Sequence, residues 1–293
     1  MQTKRAFLGI ETYCPCRIWG DAKAFAHIKA AGFDCIDYSF YGAAAKWAMR
    51  DESRMADAQS IRRMLNRQGL FCHQAHAPFS FQYNDPMTMD TPAYHDIVCA
   101  MQAAAVLGAK YIVVHSIPVP MDTDLIEYNL VFLKSLEKYC VQFGIQIGVE
   151  NLFTRADTGA CTELIGTPEK LTNFLEQLDS PWFAACVDLG HAAIVGIKPE
   201  DFIRRMGSKW LRLVHIQDTN YADDLHQLPY MGLQNWDAVI QALAEIEFEG
   251  DFSFEIFGYL QNIDKKLMPA ALSFATAVGT HLIEKLSDLK PRN

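Results

Sequence analysis

Two hydrophobic patterns alternate along this chain. Short apolar runs typical of buried parallel strands occupy residues 6–10, 34–38, 70–77, 111–115, 145–150, 183–188, 211–215 and 252–255. Between and after them, apolar residues recur at helical spacing over residues 21–31, 52–68, 91–107, 124–143, 168–178, 199–206, 236–246 and 269–286. This alternation predicts a parallel sheet covered by helices.

The strand–helix unit is repeated eight times within 293 residues, and no change of composition marks a linker. This favours a closed (β/α)₈ barrel, the TIM barrel, over an open doubly wound sheet. The segment after the first strand, GIETYCPC, lacks the G-x-G-x-x-G pattern of a dinucleotide-binding fold. We therefore expect α/β class and one TIM-barrel domain over residues 1–293.

Composition indicates the class and the location of the protein but says little about its reaction. Hydrophobic residues make up 50% of the chain and charged residues 21%, as in ordinary globular proteins. The formal charge of −9 argues against a non-specific polyanion binder, and no apolar run is long enough for a membrane helix. The eight cysteines are scattered, which is typical of reduced thiols. We expect a cytoplasmic protein, with homo-oligomer formation left open.

Every predicted strand has an ionisable residue at its last position or directly next to it. In a barrel, the carboxyl ends of all strands meet at one mouth, which is where active sites lie. One polar strand end is ordinary, but eight at one mouth indicate a site. Carboxylates mixed with imidazoles suit a divalent metal such as zinc, manganese or cobalt. The eight residues are Glu11, Asp37, His76, His115, Glu150, Asp188, His215 and Glu255.

Four of these acids and imidazoles come from four successive strands, whose ends lie about 4.8 Å apart and can reach one ion. They are Glu150, Asp188, His215 and Glu255. Further candidate ligands follow in the loops. His191 comes three residues after Asp188, and Asp224 and His226 lie after the seventh strand.

Seven segments, in order, carry a resemblance to a known family. They are HAPF (76–79), VVHSIP (113–118), GVENL (148–152), CVDLGHA (186–192), VHIQD (214–218), DLHQLPYMGLQNW (224–236) and FSFEIF (252–257). The chain resembles the xylose isomerase-like barrels. That family includes sugar and sugar-phosphate isomerases and epimerases, inosose dehydratases and the endonuclease IV type of abasic-site nuclease.

The resemblance implies that Glu150, Asp188, His215 and Glu255 hold one catalytic divalent metal. In the epimerase branch, the residues matching Glu150 and Glu255 also act as an acid/base pair. One removes a proton beside a carbonyl that the metal polarises, and the other returns it on the opposite face. The residue matching His191 contacts a substrate oxygen. The expected partner is therefore a small sugar, polyol or sugar phosphate.

The nuclease branch fits the same positions. There, the resemblance implies a three-metal cluster for phosphodiester hydrolysis, held by His76, His115, Glu150, Asp188, His191, His215, Asp224, His226 and Glu255. The acidic balance and the short segment YCPCRIWG after the first strand argue against a grip on duplex DNA. We expect nucleic acid not to be the partner and keep the hydrolase as the alternative.

One departure from the epimerases concerns the segment after the seventh strand. Ketose 3-epimerases of the family usually carry an arginine a few residues after the histidine that matches His215, whereas residues 219–222 read TNYA. This argues against 3-epimerase activity on free ketoses. Isomerase, other epimerase or dehydratase chemistry stays open. A metal- and sugar-binding sensor without turnover is a third possibility, but it would not need both Glu150 and Glu255.

Overall fold

The computed structural model describes residues 6–41, 53–79, 91–117, 124–155, 161–163 and 165–289. In chain order the elements are β1 (Leu8–Glu11), α1 (Tyr13–Trp19), α2 (Asp21–Ala31), β2 (Cys35–Ser39), α3 (Ser53–Gln68), β3 (Phe71–His76), α4 (Pro92–Leu107), β4 (Tyr111–Val114), α5 (Leu125–Phe143), β5 (Gln146–Glu150), β6 (Phe153–Arg155), β7 (Cys161–Glu163), α6 (Pro168–Leu178), β8 (Phe183–Asp188), α7 (Leu189–Ile194), α8 (Pro199–Trp210), β9 (Leu211–Ile216), α9 (Trp236–Glu245), β10 (Phe252–Phe254), α10 (Phe257–Leu260) and α11 (Met268–Leu289).

Eight strands close into a parallel barrel in the order β1-β2-β3-β4-β5-β8-β9-β10, with β10 returning to β1. Helices between the strands cover its outside, and β6 and β7 form a separate antiparallel pair. The predicted (β/α)₈ TIM barrel is confirmed. The strands alternate between two environments because successive side chains point to opposite faces.

The inside of the barrel is filled by a small apolar layer below the mouth, formed by Tyr111, Val113, Ala184, Cys186 and Leu213. The outward-facing residues join a much larger core between the sheet and the helices. The inner layer supports the polar residues at the strand ends. Within the described residues, no helix is both long and apolar enough to cross a membrane.

The helices begin and end at residues that are typical of helix caps. The Thr167 hydroxyl accepts a hydrogen bond from the Lys170 amide at 3.3 Å and begins α6, with Pro168 in its first turn, as Thr-Pro-Glu predicts. Gly108 and Gly144 end α4 and α5 with positive φ, a conformation that glycine adopts without steric cost.

Candidate metal centre and active site

The alternation of side chains along the strands places acids and imidazoles at the mouth of the barrel. Glu150 lies two residues after Gly148, and Asp188 and His215 lie two residues after the inner-layer residues Cys186 and Leu213. Residues two apart share a face of a strand, so these side chains point inward at the catalytic end. Gly148 leaves room beneath Glu150, because a Cβ there would lie 2.6 Å from Leu213 Cδ1.

The centre of the site is a buried cluster of two glutamates and two histidines. One ligand atom from each of His76, Glu150, His215 and Glu255 lies within 4.8 Å of the others. His215 Nδ1 is 2.9 Å from a Glu150 oxygen and 3.0 Å from a Glu255 oxygen. Two carboxylates from β5 and from the end of β10 therefore meet at one imidazole nitrogen.

His76 joins this cluster in a defined orientation. Its Nδ1 lies 3.1 Å from Asp37 Oδ1, and the Gln74 amide donates to the other Asp37 oxygen at 2.6 Å. A carboxylate accepts, so Nδ1 carries the proton in this contact. His76 Nε2 is buried and makes no hydrogen bond to any residue the structure describes. A nitrogen so placed is a typical metal ligand, since ligating imidazoles donate their other N–H to a carboxylate.

A second group of possible ligands lies beside the first. His191, Asp224 and His226 have ligand atoms within 4.8 Å of one another. His226 Nε2 is 3.1 Å from Asp224 Oδ1, and His191 Nε2 is 3.6 Å from Asp224 Oδ2. The Glu255 carbonyl oxygen, 3.1 Å from His226 Nδ1, accepts the proton on that nitrogen and leaves Nε2 for a ligand.

Asp188 connects the two groups. It lies within 4.8 Å of Glu150 and His191 in one set of ligand atoms, and of His226 and Glu255 in another. Its carboxylate caps α7 by accepting from the His191 amide at 2.7 Å. Gln217 Nε2 lies 3.1 Å from Asp188 Oδ1.

Asn151, from the GVENL segment, fixes the backbone around Asp188. Its side-chain oxygen accepts from the Asp188 amide at 2.7 Å, and its side-chain amide donates to the Asp188 carbonyl at 3.0 Å. The Asn151 carbonyl oxygen is also 3.0 Å from His191 Nδ1. The side chain and the backbone carbonyl of one buried residue therefore position an acid and an imidazole of the site.

Two further predicted residues border the central cluster. His115 Nε2 is 2.7 Å from Glu150 Oε2, and its ring stacks on Phe79. Glu11 is buried at the end of β1, where it accepts hydrogen bonds from Ser39 and Tyr41. Burial and the neighbouring Glu255 raise the pKa of Glu11 to about 7.

The charges of the clusters compensate one another. Burial alone would raise the pKa of Glu255, but His215 and further histidines lower it to about 2. Burial alone would also raise the pKa of Glu150, but His215 and His115 hold it well below its usual value. Burial alone would lower the pKa of His226, but the surrounding carboxylates raise it to about 9.

The donor set fits a divalent metal. Buried carboxylates here are neutralised by imidazoles whose protons a cation would replace, and His76 Nε2 is a buried nitrogen without a hydrogen-bond partner in the described residues. Oxygen and nitrogen donors without thiolates are the ligands of zinc, manganese and cobalt sites. The residues present therefore can hold a metal.

Eight of the nine predicted site residues fall into these overlapping groups: His76, Glu150, Asp188, His191, His215, Asp224, His226 and Glu255. The ninth, His115, pairs with Glu150. The predicted four-residue metal set stays a prediction, since in this structure His76 rather than Asp188 completes the four-residue group. Sequence reasoning missed the amides Gln74, within β3, and Gln217, just after β9, because a glutamine at such positions carries no distinctive signal.

The model of the family described as xylose isomerase-like TIM barrel matches residues 25–277. The chain belongs to this family. An uncharacterized protein of Methanocaldococcus jannaschii is 27% identical over 191 residues, which are 61% of this chain and 62% of that protein.

Solved structures of similar fold include sugar epimerases and an epimerase-like protein. A D-tagatose 3-epimerase-like protein superposes with a TM-score of 0.74 at 20% identity, covering 96% of this chain and 98% of its own. An L-ribulose 3-epimerase superposes with a TM-score of 0.72 at 18% identity, covering 96% and 95%. Likeness at these identities concerns the fold.

Proposed function

We propose that this protein is a divalent-metal-dependent isomerase or epimerase of a small sugar, polyol or sugar phosphate. The observation that carries the proposal is the pair of buried glutamates, Glu150 and Glu255, whose carboxylates lie 2.9 and 3.0 Å from the same nitrogen, His215 Nδ1. Similarity in fold to sugar epimerases supports the same substrate class.

Glu150, His215 and Glu255, with Asp188 or His76, would hold the metal, which when bound polarises a carbonyl and stabilises the negative charge that develops on its oxygen. The carboxylate of one glutamate takes the proton from the carbon beside the carbonyl. The electron pair of that C–H bond moves into the enediolate, and the first glutamate keeps the proton that it removed. The other glutamate, which enters the step protonated, delivers its own proton to the carbon and is left as the carboxylate.

Solvent deuterium incorporation tests this reaction without knowledge of the product. The metal-loaded protein is incubated in D₂O with a panel of ketoses, ketose phosphates and keto-inositols. We expect deuterium at the carbon next to the carbonyl of at least one compound. Absence of incorporation into every compound, with metal bound, would contradict the proposal.

A metal-dependent phosphodiesterase is the second candidate, and the His191–Asp224–His226 group favours it. These three residues offer a separate set of ligand atoms beside the central cluster, as a site with several metals requires. Metal content by mass spectrometry separates the two candidates. About one metal per chain supports the isomerase, whereas two or three metals and cleavage of an abasic-site duplex would establish the hydrolase.

A further inference from the structure

A buried arginine outside the metal cluster has no partner for its charge among the residues that the structure describes. Arg54 lies in the first turn of α3, and only 3% of its surface is exposed. Its Nε, Nη1 and Nη2 atoms are all buried, and none makes a hydrogen bond to the described part of the chain.

An unpaired guanidinium is costly in this position. Arginine stays protonated in proteins and presents five N–H donors, so it cannot escape burial by losing its charge. Buried donors without acceptors, and buried charges without counterions, both oppose folding. An anion that completes the site removes both costs.

The position of Arg54 on its helix directs it towards the catalytic end. Arg54 shares one helical face with Ala58, Ile61 and Leu65, which are all buried in the core between helix and barrel. Because α3 follows β2, its first turn lies at the end where the strands terminate. The helix contacts β3, whose last residue is His76 of the metal cluster.

The start of α3 also favours an anion. Among the described residues, which begin at Ser53 here, the first turn of this 16-residue helix carries no acidic side chain that would neutralise the positive end of its dipole. A guanidinium at a helix N-terminus provides a fork of N–H donors together with that dipole. The combination suits an oxyanion with several acceptor oxygens.

We propose that Arg54 binds an oxyanionic group of the substrate, phosphate or carboxylate, so that the substrate is an anionic sugar. This inference rests on the proposed function for the substrate class. The long flexible stem of the side chain lets the guanidinium reach an anion at the mouth from its first-turn position.

Binding of inorganic phosphate and of acetate to the metal-loaded protein tests the site by calorimetry. Wild type is compared with Arg54→Met and with Arg63→Met, an exposed arginine of the same helix. We expect phosphate or acetate binding that weakens at least about tenfold in Arg54→Met and is retained in Arg63→Met. Preference for phosphate identifies a sugar phosphate, and preference for acetate a sugar acid. Equal binding by wild type and Arg54→Met would overturn the proposal, as would no binding of either anion by wild type.

Thermal unfolding separates this role from a structural one. Without ligand, Arg54→Met should raise the melting temperature, because an apolar side chain replaces an uncompensated buried charge. Phosphate should stabilise wild type and Arg63→Met but not Arg54→Met. A lower melting temperature together with an unchanged phosphate effect would contradict the proposal.

Arg54→Lys covers the case in which the methionine variant fails to fold. It keeps the charge but loses the bidentate fork, so we expect it to fold and to bind phosphate more weakly than wild type. Undiminished phosphate binding by Arg54→Lys would contradict the proposal in that case. These measurements need no turnover, so failure of the deuterium test and failure of the Arg54 site are separate results.

Discussion

At the scale of single residues, a buried carboxylate decides what His76 offers to the metal cluster. Asp37 accepts from His76 Nδ1, which leaves Nε2 as the nitrogen without a hydrogen-bond partner in the described residues. The same acid accepts from Gln74, whose amide also lies 3.0 Å from His215 Nε2. One acid and one amide therefore orient both histidines of the central group.

Asp37→Asn should weaken metal binding without removing a ligand. The asparagine amide can donate to His76 Nδ1, which would move the ring proton to Nε2 and block that nitrogen. We expect metal affinity to fall about 10- to 100-fold, as on loss of other carboxylates behind ligating histidines. A metal-competition titration measures this, with the exposed Asp288→Asn as control. Unchanged affinity in Asp37→Asn would show that His76 is not a ligand.

Titratable residues were predictable at this scale, whereas their supporting partners were not. His115, Glu150 and the other ionisable residues stand out because an acid or imidazole at the end of an apolar strand is unusual. Gln217, which donates to Asp188, lies in a segment of mixed polarity where nothing distinguishes it. The separation of the ligands into overlapping groups depends on side-chain geometry that sequence spacing does not specify.

At the scale of elements, the barrel strands followed from their apolar runs, with ends shifted by no more than two residues. Short elements were missed because they hold at most about two periods of a pattern, too few to stand out in the sequence. The helix α1, Tyr13–Trp19, contains a proline, and the strands β6 and β7 have three residues each. The expected loop after β8 is wrong, since Leu189–Ile194 forms the helix α7, with Asp188 as its cap.

Gly148→Ala tests how tightly β5 packs beneath Glu150. The added Cβ would lie 2.6 Å from Leu213 Cδ1 in the filled interior of the barrel, so one side chain must shift. Overpacking of this kind costs about 1–3 kcal/mol in the free energy of unfolding, measured in urea.

The double variant Gly148→Ala/Leu213→Val is the control for this prediction, because valine removes the clashing atom. We expect it to recover part of the lost stability relative to Gly148→Ala. Full stability of the single variant would show that the space below Glu150 is larger than the structure indicates.

At the scale of the whole molecule, folding brings together charges from strands and loops distant in sequence. Residues 65 apart, Glu150 and His215, are in direct contact, and the same cluster joins His76 from the third strand to Glu255 after the last one. Closure of the barrel could be predicted from eight repeated units. The burial of Arg54 could not, because a first-turn arginine on an amphipathic helix resembles a solvated charge.

The protonated histidines predict a pH dependence for the metal-free protein. His76 and His226 have pKa values raised to about 9, where Asp37 and other carboxylates outweigh burial, which alone would lower them. A raised folded-state pKa gives stability that is complete below about pH 6.5 and is lost as the pH rises through 9. The pKa of Glu11, raised to about 7, also makes the folded protein less stable as the pH rises from 4.5 to 7.

We therefore expect the melting temperature of the metal-free protein to fall steadily from pH 5 to pH 9. The melting temperature of metal-loaded protein should fall less, because the cation takes the place of the displaced protons and metal affinity rises with pH. Thermal unfolding at several pH values with and without chelator measures both. Parallel curves for the two forms would contradict the assignment of these histidines to a metal centre.

The acid/base pair gives the most direct test of the central claim. Glu150→Gln and Glu255→Gln are compared with the exposed Glu249→Gln for deuterium incorporation beside the substrate carbonyl and for bound metal. Because glutamine cannot accept or deliver the proton, we expect exchange to fall at least about 100-fold in both site variants and to stay normal in Glu249→Gln. Exchange at the wild-type rate in Glu255→Gln that still binds metal would contradict the account.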